Sequence, residues 1–406
     1  MTTKRVALLS VLLFALIIPL SAGPDSEECT TLVATGDATM SGGPLLWKNR
    51  DTDTLSNKVV LVQEQPYSFL ALVNADDTAG RSAWAGLNAV GFAIANSASY
   101  NLPQRTGEQQ NLEGMIMAAA LRTCRTLSHF EQFLTRYQGR GFGSRANFLT
   151  IDAEGGAAIF ETHNHGYKRL DAADFPQHRI PNTNFSRSGT EDAGAGYLRF
   201  DRETALLDAV PAGRLDVATV FQVLARDLGH PLLAHPPRSD WAKLASHTPF
   251  WVHTNYTIDR PSTAAAVVIQ GVRPGEDPAR ATMWVALGEP VTTIAVPLWV
   301  AAGTPPEAVW KGQDAPITAE AMRLKDLLRP LTSKERREYA DLTRLDNADG
   351  TGWLPSTMAV EREIIAETEA LLKRNPSVSD LVAFQKSAAE KALAALRQAG
   401  RARQTS

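Results

Sequence analysis

The chain of 406 residues carries 41 Lys and Arg against 44 Asp and Glu, a formal net charge of −3, and 44% of its residues are apolar. This is the composition of a soluble globular protein with ample material for a core, and it lacks the basic excess of a nucleic-acid or anionic-membrane binder. Length alone allows two or three domains, or one large α/β domain with an appendage.

The chain opens with Lys4 and Arg5, an apolar run from Val6 to Leu20, and the small-residue site Leu20-Ser21-Ala22. Residues 1–22 therefore read as a signal peptide and 23–28 as a short propeptide, giving a secreted or periplasmic protein. The run is too short to favour a spanning helix, and nothing later reaches that length, so no integral membrane protein is expected. An N-terminal anchor is the bland alternative; Glu27 and Glu28 ahead of Cys29 argue against a lipoprotein.

From Cys29 to Asp51 the sequence predicts a strand through Val33, a turn over Gly36–Gly43, and a return strand from Pro44 ending in Lys48-Asn49-Arg50-Asp51. A turn of that length sets Thr35 opposite Pro44 and Cys29 opposite Arg50. Two cations, an amide and a carboxylate are thereby delivered near one thiol, which suits an activated nucleophile. Alternation puts Lys48 and Arg50 on one face and Asp51 on the other unless a bulge intervenes. Only one other cysteine exists, Cys124. A Cys29–Cys124 disulfide in a non-catalytic secreted binding protein is thus the competing reading, with Cys124 otherwise a buried apolar residue of a helix.

The Cys-Thr-Thr start, strand, Gly-rich turn and Lys-Asn-x-Asp end resemble the N-terminal-nucleophile (Ntn) hydrolases. The nearest branch is the linear-amide one, with acyl-CoA:6-aminopenicillanate acyltransferases, bile-salt hydrolases, penicillin V acylases and dipeptidase relatives. The resemblance runs from Cys29 to about Val300. It implies an α+β fold, a four-layer αββα sandwich, over residues 29–303. It also implies that Cys29 is the nucleophile, that Lys48 stands where arginine is commoner, and that Asp51 orients the Cys29 amine. Between Lys48 and Arg50 as the cation beside the thiol, the two readings leave the choice open.

Further along, two strand-like runs flank Gln65-Pro66-Tyr67, Gly86-Leu87-Asn88 reads as a turn, and Phe92–Ala95 as a short strand. The resemblance makes Asn96 an oxyanion donor, since an amide N–H donates to developing charge without titrating; Asn88 and Asn96 can also simply close turns. Residues 111–138 have helical periodicity, and residues 146–170 read as strand, Asp-x-x-Gly-Gly turn and strand, a hairpin. His163-x-His165 lacks further ligands at recognisable spacing, so no metal and no cofactor are expected. Asn184 in Asn182-Thr183-Asn184 matches the Thr-Asn motif of the family, a polar anchor near the nucleophile, with Asn182 its competitor in register. Arg199, in Arg-Phe-Asp-Arg, resembles the first arginine of the family's Arg-Phe-x-Arg motif, and the resemblance implies a place near the active site. The alternative is a helix-surface arginine paired with Asp201 or Glu203.

His230–Tyr256 reads as a long structured loop, and strands at 264–270, 282–286 and 294–300 are expected to complete the second sheet. Beyond Gly303-Thr304-Pro305-Pro306 the chain becomes charged and helical. Thr332-x-x-Glu335 fits a capping box and Asn375-Pro376 separates the last two helices. Residues 304–406 are expected to be a C-terminal extension for packing or for homo-oligomer formation. The resulting expectation is a hydrolase acting on a small-molecule amide through a thioester on Cys29, after removal of the leader. An acyltransferase of the same fold is the alternative, disfavoured because no coenzyme-A phosphate site is visible.

Overall fold

The computed structural model describes residues 28–105, 108–138, 141–333 and 335–401. The predicted signal peptide, and the propeptide except Glu28, lie outside the described residues.

Runs of β-branched and small apolar residues form β1 (Thr30–Ala34), β2 (Leu45–Asp51), β3 (Asn57–Val62), β4 (Phe69–Asn74), β5 (Ala85–Asn88) and β6 (Ala93–Ala98). The helices α1 (Glu113–Thr123) and α2 (Leu127–Tyr137) follow, then β7 (Ala146–Ile151), β8 (Ala157–His163), β9 (Gly166–Asp171) and β10 (Arg179–Asn182). Next come α3 (Tyr197–Asp208), the short α4 (Val217–Thr219), β11 (Trp251–His253), β12 (Thr263–Gln270), β13 (Thr282–Leu287) and β14 (Val296–Leu298). The chain closes with α5 (Pro316–Leu328), β15 (Tyr339–Asp341), α6 (Leu342–Leu345), α7 (Leu354–Lys373) and α8 (Val378–Gln398).

Thirteen of these strands, all but the separate pair β11 and β15, build two antiparallel sheets that face one another. One has the order β10-β1-β2-β12-β13-β14 and the other runs β3 to β9 in sequence order. β1 and β2 pack across to β6, β7 and β8. On the outer face of the seven-stranded sheet, α1 and α2 bury an aromatic core in which Phe130 meets Phe160 edge to face at 5.1 Å. On the outer face of the six-stranded sheet lie α3, α5, α7 and α8. The layers are αββα, as expected.

Particular elements differ from the sequence reading. Gly86–Asn88 is not a turn but part of β5, and the turn falls one step later, at Gly91 with φ +80°. Gly86 is needed for packing rather than turning: a Cβ there would come within 2.5 Å of Leu121 on α1. The strands β12, β13 and β14 extend the sheet of β1 and β2, not the other one. The stretch around His230–Tyr256 holds a short 3-10 helix, Arg238–Lys243, and β11, which pairs with β15. No helix starts at Thr332; a single 3-10 turn, Arg336–Glu338, leads directly into β15, and the capping box of this region is Ser377 with Asp380.

Of the two roles expected for the C-terminal helices, packing is the one these contacts carry. Leu324, Ile364, Ala389 and Leu396 belong to the same buried cluster as Leu32 and Val267. Glu361 of α7 also forms a fully buried pair with Arg226, with bonds of 2.6 and 2.7 Å.

Candidate active site at the end of the first strand

β1 is a central strand, held by β2 on one side and β10 on the other, and Cys29 stands immediately before it. The observed register has Thr31 opposite Lys48 and Thr30 opposite Asn49, so Cys29 lies level with Arg50 as predicted. Strand alternation then divides the polar cluster between two faces.

Lys48 and Arg50 point toward the seven-stranded sheet. Lys48 Nζ donates to Asn96 Oδ1 at 2.6 Å and to the Trp84 carbonyl at 3.1 Å. The Arg50 guanidinium lies 4.5 Å from the centre of the Trp84 ring and donates to Asn57 Oδ1. By alternation the Cys29 side chain belongs to this face. Because lysine holds the oxygen of the Asn96 amide, Nδ2 is the end available to a ligand. Asn96 also lines a cavity of about 390 Å³ with Trp84, Ser99, Tyr100 and Arg145. Asn88, by contrast, is structural, donating to the Leu121 and Cys124 carbonyls and accepting from Phe92 N.

Asp51 faces the other way, toward α3. Its Oδ1 accepts from Thr263 Oγ at 2.7 Å, where a bulge in β12 brings Thr263 opposite Asp51. Its Oδ2 has no hydrogen-bond partner among the described residues, with Arg260 at 3.8 Å and Arg199 at 4.0 Å. Burial pushes the carboxyl up to about 6 against the pull of those two guanidiniums.

Arg199 is 1% exposed, so it is not a helix-surface residue paired with Asp201 or Glu203. It shares the inner face of α3 with Glu203 and Leu207. From there Nη1 donates to the Cys29 carbonyl at 2.8 Å and to Thr30 Oγ at 3.0 Å, and Nη2 to Asn184 Oδ1 at 2.8 Å. Asn184 Oδ1 also accepts from the Cys29 backbone nitrogen at 2.9 Å, while its Nδ2 is occupied by the Ala98 carbonyl at 3.0 Å. Asn184 therefore anchors the Cys29 nitrogen through its oxygen, and its amide nitrogen donates to the Ala98 carbonyl. Asn182, its competitor, instead bonds to the Thr183 and Phe185 carbonyls.

The cluster thus brings together all six residues named from the sequence and adds Arg260 and Trp84, which sequence reasoning missed. Arg260 lies three residues before the start of β12, the strand that pairs with β2, but nothing local marks it. Neither cysteine forms a disulfide: Cys124 is buried in the helical core, its thiol pushed up to about 11 by burial, so the Cys29–Cys124 reading is overturned. His165 pairs with Glu108, and among the described residues there is no group of three or more potential metal ligands.

No protein-family model matches this chain, and no curated protein matches it. Among solved structures, penicillin V acylase from Agrobacterium tumefaciens is similar at 16% identity and a TM-score of 0.41, over 67% of this chain and 86% of that one. A variant of the conjugated bile acid hydrolase from Clostridium perfringens is similar at 12% identity and a TM-score of 0.37, over 63% and 89% of the two chains. The Caenorhabditis elegans ortholog of N-acylethanolamine-hydrolyzing acid amidase is similar at 14% identity and a TM-score of 0.38, over 61% and 95%. At these scores the chemistry rests on the residues themselves.

Proposed function

We propose that this protein is an exported cysteine amidohydrolase of the N-terminal-nucleophile type, cleaving a linear amide through a thioester on Cys29 once the Glu28–Cys29 bond has been cut. The observation that carries the reading is the environment of the Cys29 nitrogen. It donates to Asn184 Oδ1, Asn184 is itself held by Arg199, and the buried Asp51 of the same cluster keeps one oxygen unpartnered. A peptide nitrogen has one proton to give; a freed α-amine gains more, and Asp51 Oδ2 is the acceptor in waiting.

An α-amine has an ordinary pKa of about 7.7–8.0, suited to act as a base near neutral pH. It takes the thiol proton as Sγ attacks the amide carbon. The oxyanion then receives the Nδ2–H of Asn96, whose orientation Lys48 fixes. Collapse breaks the C–N bond, the ammonium returns the proton to the leaving amine, and a thioester remains. Water, deprotonated by the same amine, releases the acid and restores the thiol. Before cleavage that amine does not exist, so the Glu28–Cys29 bond is cut either by another protease or by an N-to-S acyl shift, in which Sγ attacks the Glu28 carbonyl, the C–N bond breaks as the thiol proton passes to the departing Cys29 nitrogen, and water hydrolyses the resulting thioester.

Intact mass, N-terminal sequencing and iodoacetamide labelling of the exported wild type and Cys29→Ala test this. A wild-type chain beginning at a labelled Cys29, active on an amide panel, supports the reading. A chain that keeps Glu28 overturns it.

A further inference from the structure

Before cleavage, Glu28 is gripped by the two arginines of the site. Its Oε2 accepts from Arg260 Nη1 at 2.5 Å and from Arg199 Nη2 at 3.2 Å. Arg260 is steadied from behind by Asn255 Oδ1 at 3.0 Å, and Arg199 by Asn184 and the Cys29 carbonyl. Burial raises the Glu28 carboxyl, but the guanidiniums outweigh it and hold the group below its ordinary range. Two carboxylates, Glu28 and Asp51, thus face two guanidiniums, and the charges balance.

Cutting the Glu28–Cys29 bond removes one of those carboxylates. Asp51 alone then faces two cations that are each almost fully buried. Glu203, the other carboxyl on this side of α3, has no hydrogen-bond partner among the described residues for either oxygen, and burial pushes its carboxyl well above the ordinary range. An uncompensated buried cation is costly, so the space left by Glu28 selects an anion. It also has a way in: the Glu28 side chain is 28% exposed, unlike the arginines beneath it. Glu28 further supplies a ruler, since its carbonyl is the acyl carbon of the bond to be cut and its carboxylate sits a glutamate side chain away.

We propose that Arg199 and Arg260 form an anion subsite for the acyl half of the substrate. Glu28 fills it in the precursor, and in the mature protein it takes an acyl group bearing a carboxylate at the reach of a glutamyl or glutaryl chain. This rests on the amidohydrolase reading above and narrows its substrate class.

The test uses the mature chain beginning at Cys29, with two readouts. The first compares glutaryl-p-nitroanilide with uncharged pentanoyl-p-nitroanilide; the second is calorimetric titration with glutarate and with pentanoate. The expected result is a kcat/KM at least about tenfold higher for the glutaryl substrate, with glutarate bound and pentanoate not, as charge-assisted paired hydrogen bonds imply. Arg260→Gln should bring the substrate ratio close to one and weaken glutarate binding by a similar factor. Should that variant fail to fold, the wild-type comparison decides alone. Cleavage of both anilides at equal rates without glutarate binding overturns the subsite and leaves the amidase reading standing. Glutarate binding with neither anilide cleaved keeps the subsite and overturns the reaction. Absence of both activities overturns the subsite.

Discussion

Lys48 Nζ donates to Asn96 Oδ1 at 2.6 Å, a bond that crosses from one sheet of the sandwich to the other. It joins β2, the strand beside Cys29, to the amide proposed as oxyanion donor, and it decides which end of that amide a substrate would meet. Lys48→Met should leave the Asn96 oxygen without its partner and free the amide to turn. The expected outcome is a fall in kcat of about 10²–10³-fold, the range for loss of one oxyanion donor, with KM much less affected. Asn96→Leu should lose as much, and the double variant little more than either single one. Additive losses in steady-state kinetics would show that the two residues act separately.

Asn184 makes a different prediction because its oxygen accepts from the Cys29 nitrogen. Asn184→Ala removes the acceptor for Cys29 N and one acceptor for Arg199, leaving buried donors unpaired at a typical cost of about 1–3 kcal/mol for each group. Conversion of precursor to mature chain, followed by mass spectrometry over time, should slow by at least about tenfold, the counterpart of 1.4 kcal/mol. Unchanged conversion would mean that Asn184 does not position the bond being cut.

The buried Asp51 carboxyl predicts a pH effect on the precursor, best measured in the uncleavable Cys29→Ala background. Its pKa is raised from 3.8 to about 6, chiefly by burial, so the folded chain holds this proton more tightly than the unfolded one. The stabilisation is complete below pH 3.8 and is lost as pH rises through about 6. The gap corresponds to about 3 kcal/mol. In urea unfolding, adding Asp51→Asn should move the stability difference in favour of the Asn variant by up to that amount between about pH 4 and 7. Glu28, whose carboxyl is shifted the opposite way, is present in both proteins and titrates on the acid side of this window. A difference that stays flat across this range would contradict the assignment.

The C-terminal helices carry a stability prediction. Arg226 and Glu361 are both fully buried and joined by two bonds. Glu361→Gln leaves a buried guanidinium without its counter-charge, which should cost about 3–5 kcal/mol in denaturant unfolding. Deleting residues 304–406 strips the cover from β13 and β14 and should abolish cooperative unfolding altogether. A truncated chain that unfolds as sharply as the whole protein would show these helices to be dispensable.

Much of the site is legible in the sequence because its geometry is local. The turn between β1 and β2 sets the register, the register sets Cys29 level with Arg50, and alternation sends Asp51 to the face opposite Lys48 and Arg50. These follow from a spacing of two residues per pleat and need no knowledge of the rest of the chain. Other residues are legible only through resemblance: Asn96, Asn184 and Arg199 lie far along the sequence from Cys29, and no periodicity links them to it.

What the sequence by itself determined was the composition of a folded, apolar-cored chain, the strand–turn–strand that carries the thiol, the hairpin within residues 146–170, and the helical character of the C-terminal quarter. Only the tertiary structure decided that those helices cover the sheet that holds β1, that Arg199 points inward, that Asn184 accepts from the Cys29 nitrogen, and that Arg260 belongs to the site at all. The reason is the range of the forces involved. Turn chemistry and hydrophobic period act over a few residues and are written in them. Whether an arginine on a helix is solvated or clamps a carboxylate depends on which distant strand packs beneath it, as β12 brings Arg260 to the end of β1.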